Sequence, residues 1–299
     1  YRLAHMAMAA FLVSALLVAA TAAFHLLKGR RDALVKKSFS MAMWMILALA
    51  PLQMFVGDMH GLNTLEHQPA KLAAIEGHWE TNKDSGMPLY LFGIPDMEAE
   101  ETKYAIGIPN LGSLIMTHTL DGEVKGLKEF APEDRPNSLV VFWSFRIMVG
   151  LGVLMILMAI LGVWLRKTGK FYDSLWLHKF ALYMGPSGFI ALLAGWFTTE
   201  VGRQPWVVYG VLRTKDTLSP VSAEQVGLTL IIFVVVYFIV FGVGIFYMLK
   251  LMRKGPDFIH SAPHSEQAII QASKRPLSTI DEENDLDQVS SKQSQENQK

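Results

Sequence analysis

The chain has 299 residues, and its 27 Lys and Arg balance its 27 Asp and Glu. Hydrophobic residues make up 51% of the sequence and charged residues only 18%. The lack of a basic excess argues against a nucleic-acid-binding protein, and the lack of cysteine excludes disulfides, cysteine-bound zinc and iron–sulfur clusters within this chain. Because the apolar residues are clustered rather than spread, we interpret the sequence as that of a membrane protein.

Five apolar stretches are each long enough to cross a bilayer, which takes about 20 residues in a helix. The fourth stretch is interrupted by Gly185-Pro186. Membrane helices tolerate such a break when neighbouring groups satisfy the freed backbone atoms. We therefore predict an all-α, polytopic transmembrane helix bundle. Its predicted spans are roughly residues 3–27, 39–57, 139–165, 179–200 and 225–250.

Lysine and arginine in the short connections fall at one end of the predicted spans. They lie at 28–37, at 166–179 and at 253–254. By the positive-inside rule this end is cytoplasmic, so the long loop and the connection at 201–224 face outward. The predicted segments are two transmembrane helices at 1–57, a periplasmic loop at 58–138, three transmembrane helices at 139–255 and a disordered cytoplasmic tail at 256–299.

The first span begins without a polar flank, since the chain opens at Tyr1 and is apolar by Leu3. The run is too long for a signal peptide and lacks a basic leader, so we expect residue 1 to be a truncation point.

The loop at 58–138 is too long for a simple connector, which marks it as functional. It contains a predicted helix at 69–81, opened by Pro69.

Two polar positions within the predicted spans require an explanation, because ionisable groups are costly in a membrane. His5, near the outward end of span one, is equally well explained as an interface residue. Arg146 lies deep in span three and needs an anion, which a haem propionate would supply with two hydrogen bonds. Met148, two residues further on, is by itself more simply a packing residue.

A third polar group lies at the outward end of span four. Spacings of four and three residues place its members on one helical face. An interfacial ion pair with an aromatic belt residue is the simpler explanation of this group by itself. Its members are Trp196, Glu200 and Arg203.

The histidine count limits which haem protein the chain could be. A two-haem cytochrome b of the usual kind needs four buried histidines in pairs on two helices. Only His5 lies well within a span, since His25 and His178 are marginal. A haem in this chain would therefore take a methionine or carboxylate ligand. Methionine–histidine ligation gives an electron-transfer haem. A carboxylate as the only protein ligand leaves one coordination position of the haem iron open.

Several motifs, taken together, resemble subunit I of the cytochrome bd quinol oxidases. They occur in the family's order over about residues 1 to 257, and the short stretch at 130–140 resembles the short-loop branch of the family. The segment GDMHGLNTLEHQPAK resembles the corresponding segment of the cyanide-insensitive members. The matching segments are Gly57-Asp58, KLAAIE at 71–76 followed by Trp79-Glu80, LFGIPD at 91–96, FRIM at 145–148, GWFTTE at 195–200 and GRQPW at 202–206.

The resemblance implies roles for the residues that match the family's motifs. His5 and Met148 are implied to be the axial ligands of the low-spin haem b558, with Arg146 beside it. Glu200 is implied to be the axial ligand of the high-spin haem b595. The residues implied to lie close to that second haem are Trp196 and Arg203.

The resemblance also implies that the outward loop is the family's Q-loop, in which quinol is bound and oxidised. Lys71 and Glu76 are implied to act in this reaction, and Asp58 is expected to belong with them. Glu76 would accept a proton from the quinol hydroxyl as a general base. Lys71 would stabilise the developing anionic quinol.

As a whole, the resemblance implies a subunit of a terminal oxidase in the bacterial cytoplasmic membrane, reducing oxygen to water. The family's helices that precede this region carry the ligand of the third haem, a haem d or a third b-type haem, and we expect the oxygen site to need them. Implied partners are a second large membrane subunit and small single-helix subunits. A haem-free transporter with an interrupted helix and a purely structural fragment remain as alternatives.

Overall fold

The computed structural model describes residues 1–83, 85–217 and 221–255, and the predicted disordered tail at 256–299 lies outside them. Within these ranges five helical segments are long and apolar enough to cross a membrane, which confirms the predicted helix bundle. The chain divides into a unit of residues 1–242 and a second unit that begins at Val243. The helices are α1 (Arg2–Leu27), α2 (Ala33–His67), α3 (Pro69–Glu76), α4 (Leu111–Thr117), α5 (Ser138–Lys167), α6 (Leu175–Met184), α7 (Ser187–Arg203) and α8 (Ala223–Lys254), and the strands are β1 (Leu89–Asp96), β2 (Glu101–Ile108), β3 (Trp206–Val208) and β4 (Leu212–Arg213).

The second helix is longer than predicted. The sequence predicts a span over 39–57, whereas α2 continues to His67, ten residues into the predicted loop. The helix ends where Gln68 precedes Pro69, since the residue before a proline is disfavoured in helical conformation. The irregular part of the loop is correspondingly shorter than 58–138.

The fourth span is broken where the sequence predicts a break. Helix α6 ends at Met184 and α7 begins at Ser187, on either side of Gly185-Pro186. Small residues let α1 approach closely here, because a Cβ added at Gly188 would lie 3.0 Å from the Cα of Val13. The apolar core of the bundle packs around this region, and its fully buried members include Leu16, Ala19, Ala23, Phe39, Ile46, Met158, Leu177 and Ala181.

The loop helix ends earlier than predicted. The sequence predicts a helix over 69–81, but α3 ends at Glu76 because Gly77 adopts a left-handed conformation with φ of 69°. The backbone N–H of His78 then bonds the carbonyl of Ala73 at 3.1 Å, a standard way of closing a helix. The predicted residues 77–81 therefore form the exit from the helix and not its last turn.

An antiparallel hairpin of β1 and β2 follows, which the sequence reading did not predict. Its turn is fixed by Asp96, whose carboxylate accepts the backbone N–H groups of Glu98 and Ala99 and bonds Lys103 at 2.6 Å. Aspartate commonly fixes turns in this way. The hairpin packs against α5 and so attaches the loop to one of the long helices.

Candidate functional site

Helix α3 carries the two loop residues with implied roles, and it lies across the ends of α5 and α7. The hydroxyl of Ser138, at the start of α5, donates to the carbonyl of Ala74 at 3.1 Å. Ala73 and Ile75 pack with Val141 of α5 and with Val201 near the end of α7. We call this end of the bundle the loop end: the start of α1, the end of α2, the start of α5 and the end of α7.

Lys71 projects from α3 onto the end of α7. Its aliphatic stem lies against Gly202, where an added Cβ would approach it to 3.1 Å, and its Nζ donates to the carbonyl of Thr199 at 3.4 Å. The side chain is buried. The pKa of Lys71 is lowered to about 8, mainly by burial and also by nearby Arg2, while Glu200 opposes the shift.

Glu76, on the same short helix, contacts α5 instead. Its carboxylate is 1% exposed and pairs with the guanidinium of Arg146 at 3.1 Å. Glu76 is five positions after Lys71 on the helix, a rotation of about 140° at about 100° per residue, so the two side chains point to different helices. The structure therefore brings both to the loop end but gives them different partners.

Arg146 holds two segments of the loop at once, the end of α3 and strand β1. Its guanidinium also donates to the backbone carbonyls of Tyr90, at 2.9 and 3.0 Å, and of Ile75. Its face lies over the ring of Phe142, 3.9 Å from the centroid. The sequence predicts that this deep cation needs an anion, and within the chain the Glu76 carboxylate supplies one.

His5 lies at the loop end of α1, against α2. An added Cβ at Gly57 would lie 3.2 Å from the His5 ring, and the ring centroid of His60 is 6.1 Å away in an edge-on arrangement. The Nδ1 atom of His5 is buried and has no hydrogen-bond partner among the described residues. Asp58, in the same turn of α2 as Gly57, is exposed. Asp58 lies on the part of α2 that extends beyond residue 57. It is not one of the charged residues that shift the pKa of Lys71, which are Arg2, Glu200 and Arg203.

Met148 lies between α5 and α7. A Cβ at Gly195 would come within 2.8 Å of the Met148 sulfur, so the glycine makes room for the thioether. Counted from the contact between Gly188 and Val13, Gly195 lies about 10 Å and His5 about 12 Å toward the loop end, at a helical rise of about 1.5 Å per residue. Met148 and His5 are therefore at about the same depth in the bundle.

The third predicted group is present on α7 as an ion pair. Glu200 and Arg203 are bonded to each other, and both side chains are partly exposed. Trp196, one turn earlier, is 56% exposed. These three residues lie at the exposed surface of this chain, and the Glu200 carboxylate is also an electrostatic neighbour of Lys71.

His5, Met148 and Glu200 fit the axial ligation of haem better than the binding of a bare metal ion. Within residues 1–83, 85–217 and 221–255, no three His, Asp or Glu side chains converge as an ion site would require. An imidazole nitrogen without a partner and a thioether at the same depth are, by contrast, the donor set of an electron-transfer haem. The partly exposed Glu200 carboxylate offers one further oxygen ligand.

Sequence reasoning missed residues that complete the loop end. His78 is buried, and its Nε2 lies 2.8 Å from the carbonyl oxygen of Pro88. Ser144 and Thr198 share a buried hydrogen bond of 2.8 Å between α5 and α7, near Met148. His78 lies beside the matched KLAAIE segment. Ser144 and Thr198 lie inside apolar runs, where a small hydroxyl residue does not stand out from the sequence pattern of a membrane helix.

The chain is similar to known proteins over most of its length. A family model described as cytochrome bd terminal oxidase subunit I matches residues 1–256. Cytochrome bd ubiquinol oxidase subunit 1 of Bacillus subtilis is 34% identical over 281 residues, covering 89% of this chain and 59% of that protein. Cytochrome bd-II ubiquinol oxidase subunit 1 of Escherichia coli is 28% identical over 330 residues, covering 88% of this chain and 64% of that protein.

A solved structure matches as well. The structure of bd oxidase from Geobacillus thermodenitrificans aligns with a TM-score of 0.75 at 32% identity, covering 84% of this chain and 57% of that one. The chain thus spans less than two thirds of the length of each of these relatives.

Proposed function

Because this chain belongs to the cytochrome bd terminal oxidase subunit I family, we propose that it forms part of a membrane-bound quinol oxidase. The family assignment confirms the resemblance seen in the motifs, and the five apolar helices agree with a multi-pass membrane protein. The relatives' names support oxidation of a quinol. Transport and a purely structural role are not favoured, since neither calls for the matched ligand residues.

We assign the haem-holding roles to residues of the loop end. His5 and Met148 would hold the low-spin haem b558, which their common depth supports, and Glu200 would hold haem b595. The haems supply one-electron carriers between the quinol and oxygen. The third haem, a haem d or a further b-type haem, would take its ligand from outside this chain. Trp196 and Arg203, which lie one turn before and three residues after Glu200 on α7, would lie beside haem b595.

The quinol would react at α3. Glu76 lies in a water-poor position where a carboxylate can accept a hydroxyl proton, and Arg146 holds that carboxylate in place. Lys71, as a cation, would stabilise the negative charge that develops on the quinol oxygen. Asp58 would contribute from the end of α2, on the same side of the bundle.

We further propose an orientation and a set of partners. The basic residues at the ends of α1, α5 and α8 favour placing those ends in the cytoplasm, so the loop end faces the periplasm of a bacterial inner membrane. Protons of the quinol then leave on the outer side. A second large membrane subunit and small single-helix subunits would complete the complex, which takes quinol and oxygen as substrates.

The observation that carries this proposal is the docking of α3, with Lys71 and Glu76, across the two helices that hold Met148 and Glu200. It predicts that the complex containing this chain, purified from membranes of an oxidase-deficient bacterium, is coloured and consumes oxygen when quinol is added. A colourless preparation would contradict the proposal and favour a transporter.

The Glu76→Gln variant tests the assigned base within that complex. Gln keeps an oxygen for Arg146 but cannot accept a proton, so quinol-dependent oxygen uptake should fall at least about tenfold with haem content unchanged. The matched control is Glu98→Gln, an exposed carboxylate in the same loop, which should keep the wild-type rate. Wild-type turnover by Glu76→Gln would remove Glu76 from the reaction.

A further inference from the structure

His78 is a buried titratable residue beside the proposed quinol site that the mechanism above does not use. It follows Glu76 by two residues, immediately after the left-handed Gly77 that ends α3. Its backbone is fixed at both groups: the N–H donates to Ala73 at 3.1 Å, and the carbonyl accepts the N–H of Leu127 at 2.9 Å. The imidazole is therefore carried by a rigid segment.

The ring of His78 is also held in one orientation. It stacks on Tyr90, with centroids 4.4 Å apart and 21° between the planes, and its Nε2 lies 2.8 Å from the carbonyl oxygen of Pro88. A carbonyl oxygen can only accept, so Nε2 must carry the hydrogen. In the neutral ring this leaves Nδ1 as the unprotonated nitrogen, which is the form that accepts a proton.

His78 and Glu76 belong to one connected group of side chains. The carbonyl of Tyr90, whose ring stacks on His78, accepts two hydrogen bonds from Arg146, and the same guanidinium pairs with Glu76. The imidazole is thereby fixed to the scaffold that fixes the carboxylate. Arg146 therefore links the surroundings of the two side chains.

Quinol oxidation releases two protons, whereas one carboxylate holds only one. We propose that His78 is the second proton acceptor of the loop, taking through Nδ1 the proton of one quinol hydroxyl while Glu76 takes the other. The inference rests on the proposed quinol oxidation. In the step, the quinol O–H bond breaks and an Nδ1–H bond forms, while the two electrons leave to the oxidase's carriers. The imidazolium then returns its Nδ1 proton to water on the outer side.

The charges around His78 are consistent with a base that is neutral at physiological pH. Burial lowers the pKa of His78, the Pro88 carbonyl and Glu76 oppose that shift, and Arg146 adds to it. Burial raises the pKa of the stacked Tyr90, so that phenol stays neutral. Because the acceptor must be unprotonated, quinol oxidation should decline as the pH falls through the pKa of His78, below the ordinary histidine value of about 6.5.

The test compares the complex carrying His78→Gln with the complex carrying His118→Asn. Gln keeps an N–H for Pro88 but has no basic nitrogen, whereas His118 is an exposed histidine of the same loop. We expect His78→Gln to lower kcat at least about tenfold and to abolish the acid limb of kcat/KM, with haem content unchanged. His118→Asn should keep both the rate and the limb.

A second readout does not depend on turnover. In ¹⁵N-histidine spectra of the complex at neutral pH, the resonances that vanish in His78→Gln should be those of a neutral Nε2–H tautomer. An imidazolium or an Nδ1–H tautomer would overturn the proposal, as would an unaltered rate and acid limb in His78→Gln while Glu76→Gln is impaired. If the wild-type complex oxidises no quinol, the proposed function itself fails.

Discussion

Burial changes the acid–base chemistry of Lys71. A lysine is normally a cation far above neutral pH, but this one is packed against Gly202 and α7, and its pKa falls to about 8. Desolvation is the larger cause, and the cations Arg2 and Arg203 add to it. The residue is therefore a cation at pH 7 that loses its proton within the range of an enzyme assay.

This shift predicts an alkaline limit to quinol oxidation. If the Lys71 cation stabilises the anionic quinol, kcat/KM should fall as the pH rises through about 8, because the neutral amine no longer supplies the charge. The measurement is a pH profile of quinol-dependent oxygen uptake by the complex. Lys71→Met should be slow and should lack this limb. A wild-type profile that stays level to pH 10 would contradict the role.

Sequence motifs indicated candidate residues for the site but not the partners of those residues. Lys71, Glu76 and Arg146 stand in segments that resemble the family, and all three lie at the loop end. The pairing of Arg146 with Glu76 joins positions 70 residues apart, so no local pattern could indicate it. A buried cation demands an anion, but its charge alone does not say whether the chain or a cofactor supplies it.

At the scale of elements, Arg146 connects a membrane helix to the loop. One guanidinium on α5 binds the end of α3 through Glu76 and Ile75 and the strand β1 through Tyr90. Removing one partner of a buried ion pair costs about 3–5 kcal/mol, because the other is left charged without compensation. We therefore expect Arg146 to stabilise the end of α3, in addition to the hydrogen bonds of Ser138 and Lys71.

The Arg146→Lys variant tests this connection. Lysine keeps the charge but cannot reach three acceptors with a planar fork, so amide hydrogen exchange in 69–76 and 89–96 should become at least about tenfold faster. The control is Arg31→Lys, which alters an exposed ion pair with Asp173 at the opposite end of the bundle. Unchanged exchange in both segments of Arg146→Lys would show that the loop is held by other contacts.

Elements outside the spans were predicted less well than the spans. Helix α2 ends just before Pro69, and α3 ends just before Gly77. The conformation of a single residue decides each of these boundaries. The β1–β2 hairpin was missed because its residues are largely exposed and its packing against α5 is a tertiary contact. Apolar periodicity carries no information about such pairings.

At the scale of the whole molecule, the bundle could be predicted because bilayer thickness dictates the length of each apolar run. All five predicted spans are present as helices, including the one interrupted at Gly185-Pro186. The proposed low-spin haem site, by contrast, requires His5 and Met148, which belong to separate spans, to lie at the same depth. Helix packing through small residues such as Gly188 and Gly195 produces that alignment.

The Met148→Leu variant tests whether His5 and Met148 hold one low-spin haem. The matched control is Met158→Leu, a buried methionine ten residues further along α5. In reduced-minus-oxidised spectra of the purified complex, Met148→Leu should lose the low-spin haem signal while the other haem signals remain, because leucine has no sulfur ligand. Met158→Leu should match the wild type. An unaltered low-spin spectrum in Met148→Leu would contradict the account.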